Sequence, residues 1–200
     1  MTDLVLDKIY TKDWFAMLAS SKFSYRSELI SKFIVDNFAP KSAIDVGCAN
    51  GFLVKGLLER GVDSYGIDGS SNCIDSLVSP YDRFILHDLR KPYKDNRKYD
   101  FCSCLEVAEH IEPEYTDIII ATICGLSDIL MFSSCRPRRN KHEQHVNLHE
   151  PDYWQNLITS KGFELLGSTR ERWYEYMHPY RRRKMMRNYM GAMFFRKREE

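Results

Sequence analysis

The hydrophobic positions of the chain change period several times, from helical spacing to short unbroken apolar runs and back. Between Tyr25 and Phe38 apolar residues recur every three or four positions, and Pro40 ends the pattern. This predicts a helix before the first strand. Apolar runs typical of strands then alternate with helical segments, which favours a mainly parallel, doubly wound sheet.

The element boundaries follow from where each pattern starts and stops. The predicted strands are 43–46, 64–67, 83–86, 100–105, 129–133, 163–167 and 191–195. The predicted helices are 52–58, 72–78, one that Pro113 opens, 151–160 and a basic segment, 180–188. We therefore predict a single domain over 1–200 with an α/β fold in three layers, in which cap helices in 1–40 precede a core in 41–200 that holds a seven-stranded sheet.

The turn after the first predicted strand combines an acid, Asp45, with two glycines, Gly47 and Gly51. Glycine permits positive φ and lets a ligand approach the backbone, and a helix N-terminus beyond it presents free N–H groups. The turn lacks the Lys-Ser/Thr pair of a P-loop, and its spacing differs from the G-x-G-x-x-G of dinucleotide binders. It therefore indicates some other nucleotide-like cofactor.

Acids also end the second and third predicted strands, at Asp68 and Asp88. Ligands of doubly wound sheets bind at the carboxyl ends of the strands, where a carboxylate can accept from ribose hydroxyls. A single Asp at a strand end is more often a turn former. Three acids at three successive strand ends indicate a binding edge.

The D-x-G-x-x-x-G spacing resembles motif I of the class I S-adenosylmethionine (SAM) methyltransferases, whose fold is Rossmann-like. This resemblance implies that SAM is the cofactor, with Asp68 on the ribose, Asp88 on the adenine amino group and the Leu89 N–H on a ring nitrogen. The cofactor-binding residues that it implies are Asp45, Gly47, Cys48, Ala49, Gly51, Asp68, Gly69, Asp88, Leu89, Leu105 and Glu106.

Two further motifs sharpen the resemblance. E-V-A-E-H-I-x-P-E-Y begins at Glu106, and H-V-N…P-x-Y-W begins at His145. The pair is similar to a group of small SAM methyltransferases often associated with bacterial or phage surface-glycan synthesis. The resemblance implies O-methylation of a saccharide or another small polar acceptor.

Methyl transfer to a hydroxyl requires alignment of the acceptor and removal of its proton. Histidine has a pKa near neutrality, so His145 is the first candidate for the general base, with His110 and Glu109 beside it. Asn147 and Tyr153 are further candidate acceptor contacts. Asn147 could instead brace its loop, and Tyr153 with Trp154 could be core and lid packing.

Glu106, Glu109 and His110 also match the E-x-x-E-H element of small-RNA 2′-O-methyltransferases, in which a distant histidine completes a divalent metal site. His145 could be that histidine here. The same element occurs in metal-free methyltransferases, and our preferred interpretation uses no metal. RNA methylation stays open as an alternative function, and so does a non-catalytic SAM-binding subunit.

Cations replace the glycine-rich loop that usually precedes H-V-N in such proteins. They are Arg136, Arg138, Arg139 and Lys141. Arginine guanidinium groups can bind a phosphate or carboxylate of the acceptor through two parallel hydrogen bonds. A solvent-exposed loop explains such a run of cations equally well. The basic segment 180–188 could follow a phosphate backbone, but an amphipathic helix against the sheet is favoured.

Composition narrows the picture only slightly. The 200 residues are 44% hydrophobic with a net charge of +1, which is ordinary for a globular protein and does not argue for nucleic acid. The six cysteines include no C-x-x-C pair, so reduced thiols are expected. No apolar run is long enough for a membrane span and the first residues do not resemble a signal peptide, so we expect a cytoplasmic protein; the oligomeric state is left open.

Overall fold

A computed structural model describes residues 4–19, 21–137, 144–183, 186 and 188–199. Seven strands form one sheet in the order β3-β2-β1-β4-β5-β7-β6. They are β1 (Ser42–Val46), β2 (Asp63–Asp68), β3 (Phe84–Leu86), β4 (Phe101–Leu105), β5 (Ile129–Ser133), β6 (Phe163–Leu165) and β7 (Met193–Lys197). The predicted α/β fold with a mainly parallel seven-stranded sheet is confirmed.

Helices α1 to α7 flank this sheet. They are α1 (Leu4–Ile9), α2 (Lys12–Leu18), α3 (Ser21–Phe38), α4 (Phe52–Leu58), α5 (Thr116–Leu126), α6 (Pro151–Ser160) and α7 (Gly167–Met177). Within the described ranges, none of them has the length and apolar content that a bilayer crossing requires.

The chain divides into two compact units, 1–91 and 92–200. In the first unit β1 pairs with β2 and β2 with β3, all in parallel. Helix α3 forms because Leu29, Ile30, Phe33 and Ile34 share one buried face at helical spacing. That face lies against α4. The helix ends at Phe38 because the residue before Pro40, Ala39, leaves the helical region with φ 43°.

In the second unit β4 and β5 are parallel, whereas β7 is antiparallel to both β5 and β6. Strands β4 and β5 are mostly apolar because they are buried along nearly their whole length. Helix α5 covers them with Ile119, Ile120 and Ile123, all fully buried.

Four predicted elements need correction. The predicted helix 72–78 is a 3₁₀ segment, Ser71–Ser76, because its side chains bond to the N-terminal helices. The strand predicted to reach residue 167 ends at Leu165, since Gly167 opens α7, and the last strand is Met193–Lys197 instead of 191–195. In the predicted helix 180–188, residues 180–183 are a 3₁₀ end and turns, while 184, 185 and 187 lie outside the described residues.

All six cysteines are free thiols, as expected. The predicted single domain with its boundary at residue 40 stays a prediction.

Candidate functional site

The turn between β1 and α4 departs from ordinary backbone geometry three times. Gly47, Ala49 and Gly51 all have positive φ, at 82°, 48° and 75°. The N–H groups of Gly47 and Cys48 both donate to the Ile67 carbonyl, at 2.8 and 3.0 Å. These bonds hold the turn at the end of β2. The start of α4 has no side-chain cap, because its N-cap residue is Gly51.

Gly51 is required by packing as well as by its φ. A Cβ there would lie 2.2 Å from Ser79 Oγ and 2.9 Å from Ser79 Cβ. Such distances do not occur between real atoms without displacement, so the turn cannot accept alanine in place. The predicted cofactor turn is therefore tightly packed, and the N–H groups of Gly47, Cys48 and Gly51 donate to main-chain carbonyls within the protein.

The Asp68 carboxylate holds this turn from the end of β2. It accepts from the Ala49 N–H at 2.9 Å and from the Ser70 N–H at 3.0 Å. Burial raises the pKa of Asp68, and the N–H groups of Ser70, Ala49 and Gly69 lower it only in part. Asp68 thus fixes the geometry of the loop, and its two oxygens together have capacity for a further hydrogen bond from a ligand hydroxyl.

The first two helices are anchored to the same loops. Asn50 Nδ2 donates to the carbonyls of Phe15 and Ser76, at 3.1 and 2.9 Å. The Asp7 carboxylate of α1 accepts from the hydroxyls of Ser70 and Ser71, at 2.8 and 2.7 Å. The N-terminal helices therefore depend on the residues that follow β1 and β2.

Asp88 lies after β3, and both its oxygens are engaged. Arg90 donates through Nε to Oδ1 at 2.9 Å and through Nη2 to Oδ2 at 3.1 Å. Burial would raise the pKa of Asp88, but the hydrogen bonds and charge of Arg90 lower it. The adenine contact predicted for Asp88 and Leu89 stays a prediction.

The remaining predicted cofactor residues lie at or near strand ends. Asp45 and Cys48 are buried, and burial raises the pKa of the Cys48 thiol well above its usual range. Gly69 follows β2 in the first unit. Leu105 ends β4 of the second unit, and Glu106 follows it with φ 58° while its carboxylate accepts from Ser133 Oγ at 2.8 Å.

In the second unit Glu109, His110 and His145 come together. Ligand atoms of the three side chains all lie within 4.8 Å of one another. The two imidazole rings meet edge to face, with centroids 4.5 Å apart. Residue 145 is held there because the N–H groups of Val146 and Asn147 both donate to the Glu109 carbonyl, at 2.9 and 3.1 Å.

Glu109 is a buried acid. It is 1% exposed, and among the described residues its carboxylate oxygens make no hydrogen bond of good geometry. Burial would raise the pKa of this carboxyl further without three nearby groups, which lower it in part: the main chain of Glu109, the main chain of Cys135 and the Ser134 hydroxyl. Burial and then the charge on Glu106 raise the pKa of Glu109. A carboxyl of this kind can hold a proton near neutral pH.

Asn147 and Tyr153 have different surroundings. Asn147 is buried, donates to Thr116 Oγ1 at 2.7 Å and accepts from His149 Nε2 at 2.9 Å, so it braces its loop. Tyr153 is 40% exposed and stacks on His149 with centroids 3.7 Å apart. Their roles as acceptor contacts stay predictions.

A cavity of about 750 Å³ in the second unit is lined by residues that directly follow β4 and β5, by residues from α6, β6 and α7, and by residues at and before the start of β7. Arg136 is the one described member of the predicted cationic loop, and it lines this cavity. Arg138, Arg139 and Lys141 lie outside the described residues. Arg181, from the predicted basic segment 180–188, also lines the cavity. Arg170 and Tyr174 line it too, and the sequence patterns did not single them out. The helix that carries these two residues has a detectable signal, because Thr169, Trp173 and Met177 are buried at intervals of four.

The comparisons with known proteins agree with this geometry. A family model described as a methyltransferase domain matches residues 21–124, just over half of the chain. The chain belongs to this family of methyltransferase domains. It therefore carries a SAM-dependent methyltransferase domain, and the recognition of the class from its motifs is confirmed.

Curated relatives and solved structures point the same way. Ubiquinone biosynthesis O-methyltransferase of Coxiella burnetii is 30% identical over 77 residues, which are 36% of this chain and 33% of that protein. The chain thus matches about a third of the length of this relative. The CcbJ methyltransferase from Streptomyces caelestis superimposes with a TM-score of 0.63 at 11% identity, over 86% of this chain and 90% of that one.

A structure of magnesium protoporphyrin IX methyltransferase from Synechocystis PCC 6803, with bound SAH (the demethylated product of SAM), has the same fold. It superimposes with a TM-score of 0.55 at 21% identity, over 72% of this chain and 74% of that one. At these identities the structural likeness establishes the fold.

Proposed function

We propose that this protein transfers the methyl group of SAM to a hydroxyl of a small polar acceptor such as a saccharide. The observation that carries the proposal is the group formed by Glu109, His110 and His145. The sulfonium of SAM already activates the methyl carbon, so the protein must mainly align the acceptor and take its proton. A histidine beside a buried carboxyl suits the removal of a hydroxyl proton.

Each residue has a task in this mechanism. The turn around Gly47 and Gly51 holds the amino acid part of SAM, and Asp68 accepts from the ribose hydroxyls. His145 takes the proton from the acceptor as the new oxygen–carbon bond forms and the carbon–sulfur bond breaks, which leaves SAH. His110 Nδ1 lies 3.2 Å from the Gln144 carbonyl, so it carries the proton there and Nε2 is its accepting nitrogen. The relatives that are O-methyltransferases support a hydroxyl acceptor.

Two measurements test this proposal. Calorimetric titration should show SAH binding to the wild-type protein, weakened about tenfold or more by Asp68→Asn because a charged acceptor of two hydroxyls is lost. The exposed Asp82→Asn is the matched control. If 1 mM SAH does not bind to the wild-type protein, the cofactor assignment is wrong.

Labelled SAM with a panel of sugars, phenols and RNA oligonucleotides then identifies the acceptor class. On the best acceptor, His145→Ala should lower turnover by about 10²–10⁴ while SAH affinity stays within twofold, whereas the exposed His178→Ala should change neither. Unchanged turnover in His145→Ala would remove its role as the base. Binding of SAH without transfer to any acceptor would favour the non-catalytic subunit.

A second candidate is metal-assisted methylation, because the donors of Glu109, His110 and His145 fit one divalent cation. Two imidazoles and one carboxylate are a known ligand set for iron and related ions, and the donor atoms of the three side chains all lie within 4.8 Å of one another. The buried Glu109 carboxylate supports this fit, since a cation would compensate its charge. A bound cation would lower the pKa of the acceptor hydroxyl. Glu106, which the sequence motif adds, bonds to Ser133 instead.

A further inference from the structure

We infer that the cavity of the second unit holds an oxyanion of the acceptor, a carboxylate or a phosphate, on Arg136, Arg170 and the N-terminus of α7. The inference rests on the proposed function, because it assumes that this cavity receives the acceptor. The cavity, of about 750 Å³, is lined in part by Glu106 at the carboxyl end of β4, the edge at which doubly wound sheets bind ligands.

The two arginines approach the cavity from separate elements of the fold. Arg136 follows β5, and Arg170 lies in the first turn of α7. Both are half-buried, and within the described part of the chain neither guanidinium makes an ion pair or a hydrogen bond. Arginine holds carboxylate and phosphate with two parallel hydrogen bonds, so this arrangement suits an oxyanion.

The N-terminus of α7 adds donors at the same place. The helix begins at Gly167, a residue that lines the cavity. It has no side-chain cap and no acid in its first turn, although Asp and Glu are favoured there. Its first N–H groups thus have no acceptor within the helix, and the helix dipole favours negative charge at this end.

The other charges at the cavity are consistent with an anion at this position. Arg181 also lines the cavity, and it donates to the His178 carbonyl at 3.0 Å. Glu106 accepts from Ser133, while Glu171 and Glu175 are exposed on α7. The two exposed acids can accept hydrogen bonds from cationic or hydroxyl groups on the solvent-facing part of the same acceptor.

Three probes with the same ring separate the sources of the oxyanion: glucose, glucuronate and glucose 6-phosphate. Their affinities are measured by ligand-observed NMR titration with SAH present. At least one anionic probe should bind about tenfold or more tightly than glucose, and its identity distinguishes carboxylate from phosphate. Arg136→Gln and Arg170→Gln should each lower that affinity about tenfold, and leave glucose binding unchanged.

Arg196→Gln removes the same charge from an exposed position at the end of β7 and is the matched control. It should leave the affinity for the anionic probe within twofold. Melting temperatures of all three variants confirm that they fold. The inference is overturned if glucose binds as tightly as both anions, if neither anion binds below 10 mM, or if Arg196→Gln loses as much affinity as the cavity variants. SAH affinity, titrated separately, reports on the proposed function independently of these results.

Discussion

Substitution of Gly51 by alanine offers the sharpest test of the cofactor turn, because the chain contains its own control. Gly51 and Gly61 have nearly the same φ, 75° and 80°. A Cβ on Gly61 would meet nothing within 4 Å, whereas a Cβ on Gly51 would lie 2.2 Å from Ser79 Oγ. The two alanine variants therefore share the backbone strain and differ in the clash.

The expected magnitudes follow from these two contributions. A left-handed residue other than glycine costs about 1–2 kcal/mol, which is the whole expected effect of Gly61→Ala. Forcing an extra carbon into a packed site costs about 1–3 kcal/mol more. Gly51→Ala should thus be destabilised by about 2–5 kcal/mol, and it should melt about 2–12 °C below Gly61→Ala.

Ser79→Gly supplies the rescue, because it removes both atoms that the new Cβ would meet and leaves only the Ser79 nitrogen, at 3.7 Å. Urea denaturation of Gly51→Ala, Ser79→Gly and the double variant measures the coupling between the two sites. The double variant should recover about 1–3 kcal/mol relative to the sum of the single changes. Equal stability of Gly51→Ala and Gly61→Ala, or no recovery in the double variant, would refute this account of the turn.

Two further predictions concern charge. Burial would raise the pKa of Asp7, but the hydrogen bonds from Ser71 and Ser70 outweigh it and lower that pKa; the ionised form therefore stabilises the fold above the ordinary pKa, and this contribution is lost as the pH falls through the lowered value. Asp7→Asn should accordingly lower the melting temperature at pH 7, and this difference from the wild type should shrink as the pH falls through the lowered pKa of Asp7, with the exposed Asp13→Asn as control. If a cation occupies the group formed by Glu109, His110 and His145, calorimetric titration with Mn²⁺ of protein freed of metal by a chelator should show one binding site. His110→Ala should abolish this site, and His178→Ala should preserve it. Equal Mn²⁺ binding by both variants, or no binding by the wild-type protein, would reject the metal.

Local patterns determined most of the first unit. The alternation of apolar runs and helical segments placed β1, α4 and β2 within a residue of their observed bounds, because the buried residues of strands and helices recur with different periods along the chain. The spacing of Gly47 and Gly51 predicted the turn after β1, because positive φ is a local demand that few residues other than glycine meet. A feature that depends on backbone conformation can therefore be predicted from the residues that allow that conformation.

The tertiary structure decided what depends on contacts between distant residues. The helical pattern of 72–78 gave way to a 3₁₀ segment because Asn72 bonds to the carbonyls of Asp7 and Tyr10, more than sixty positions earlier. Helix α7 escaped notice since its few buried positions are diluted by charged residues, and with it Arg170 and the cavity were missed. The proximity of His145 to Glu109 rests on backbone hydrogen bonds from residues 146 and 147 to residue 109. No local pattern encodes these contacts, because their free energy is gained only when the separate segments have already folded together.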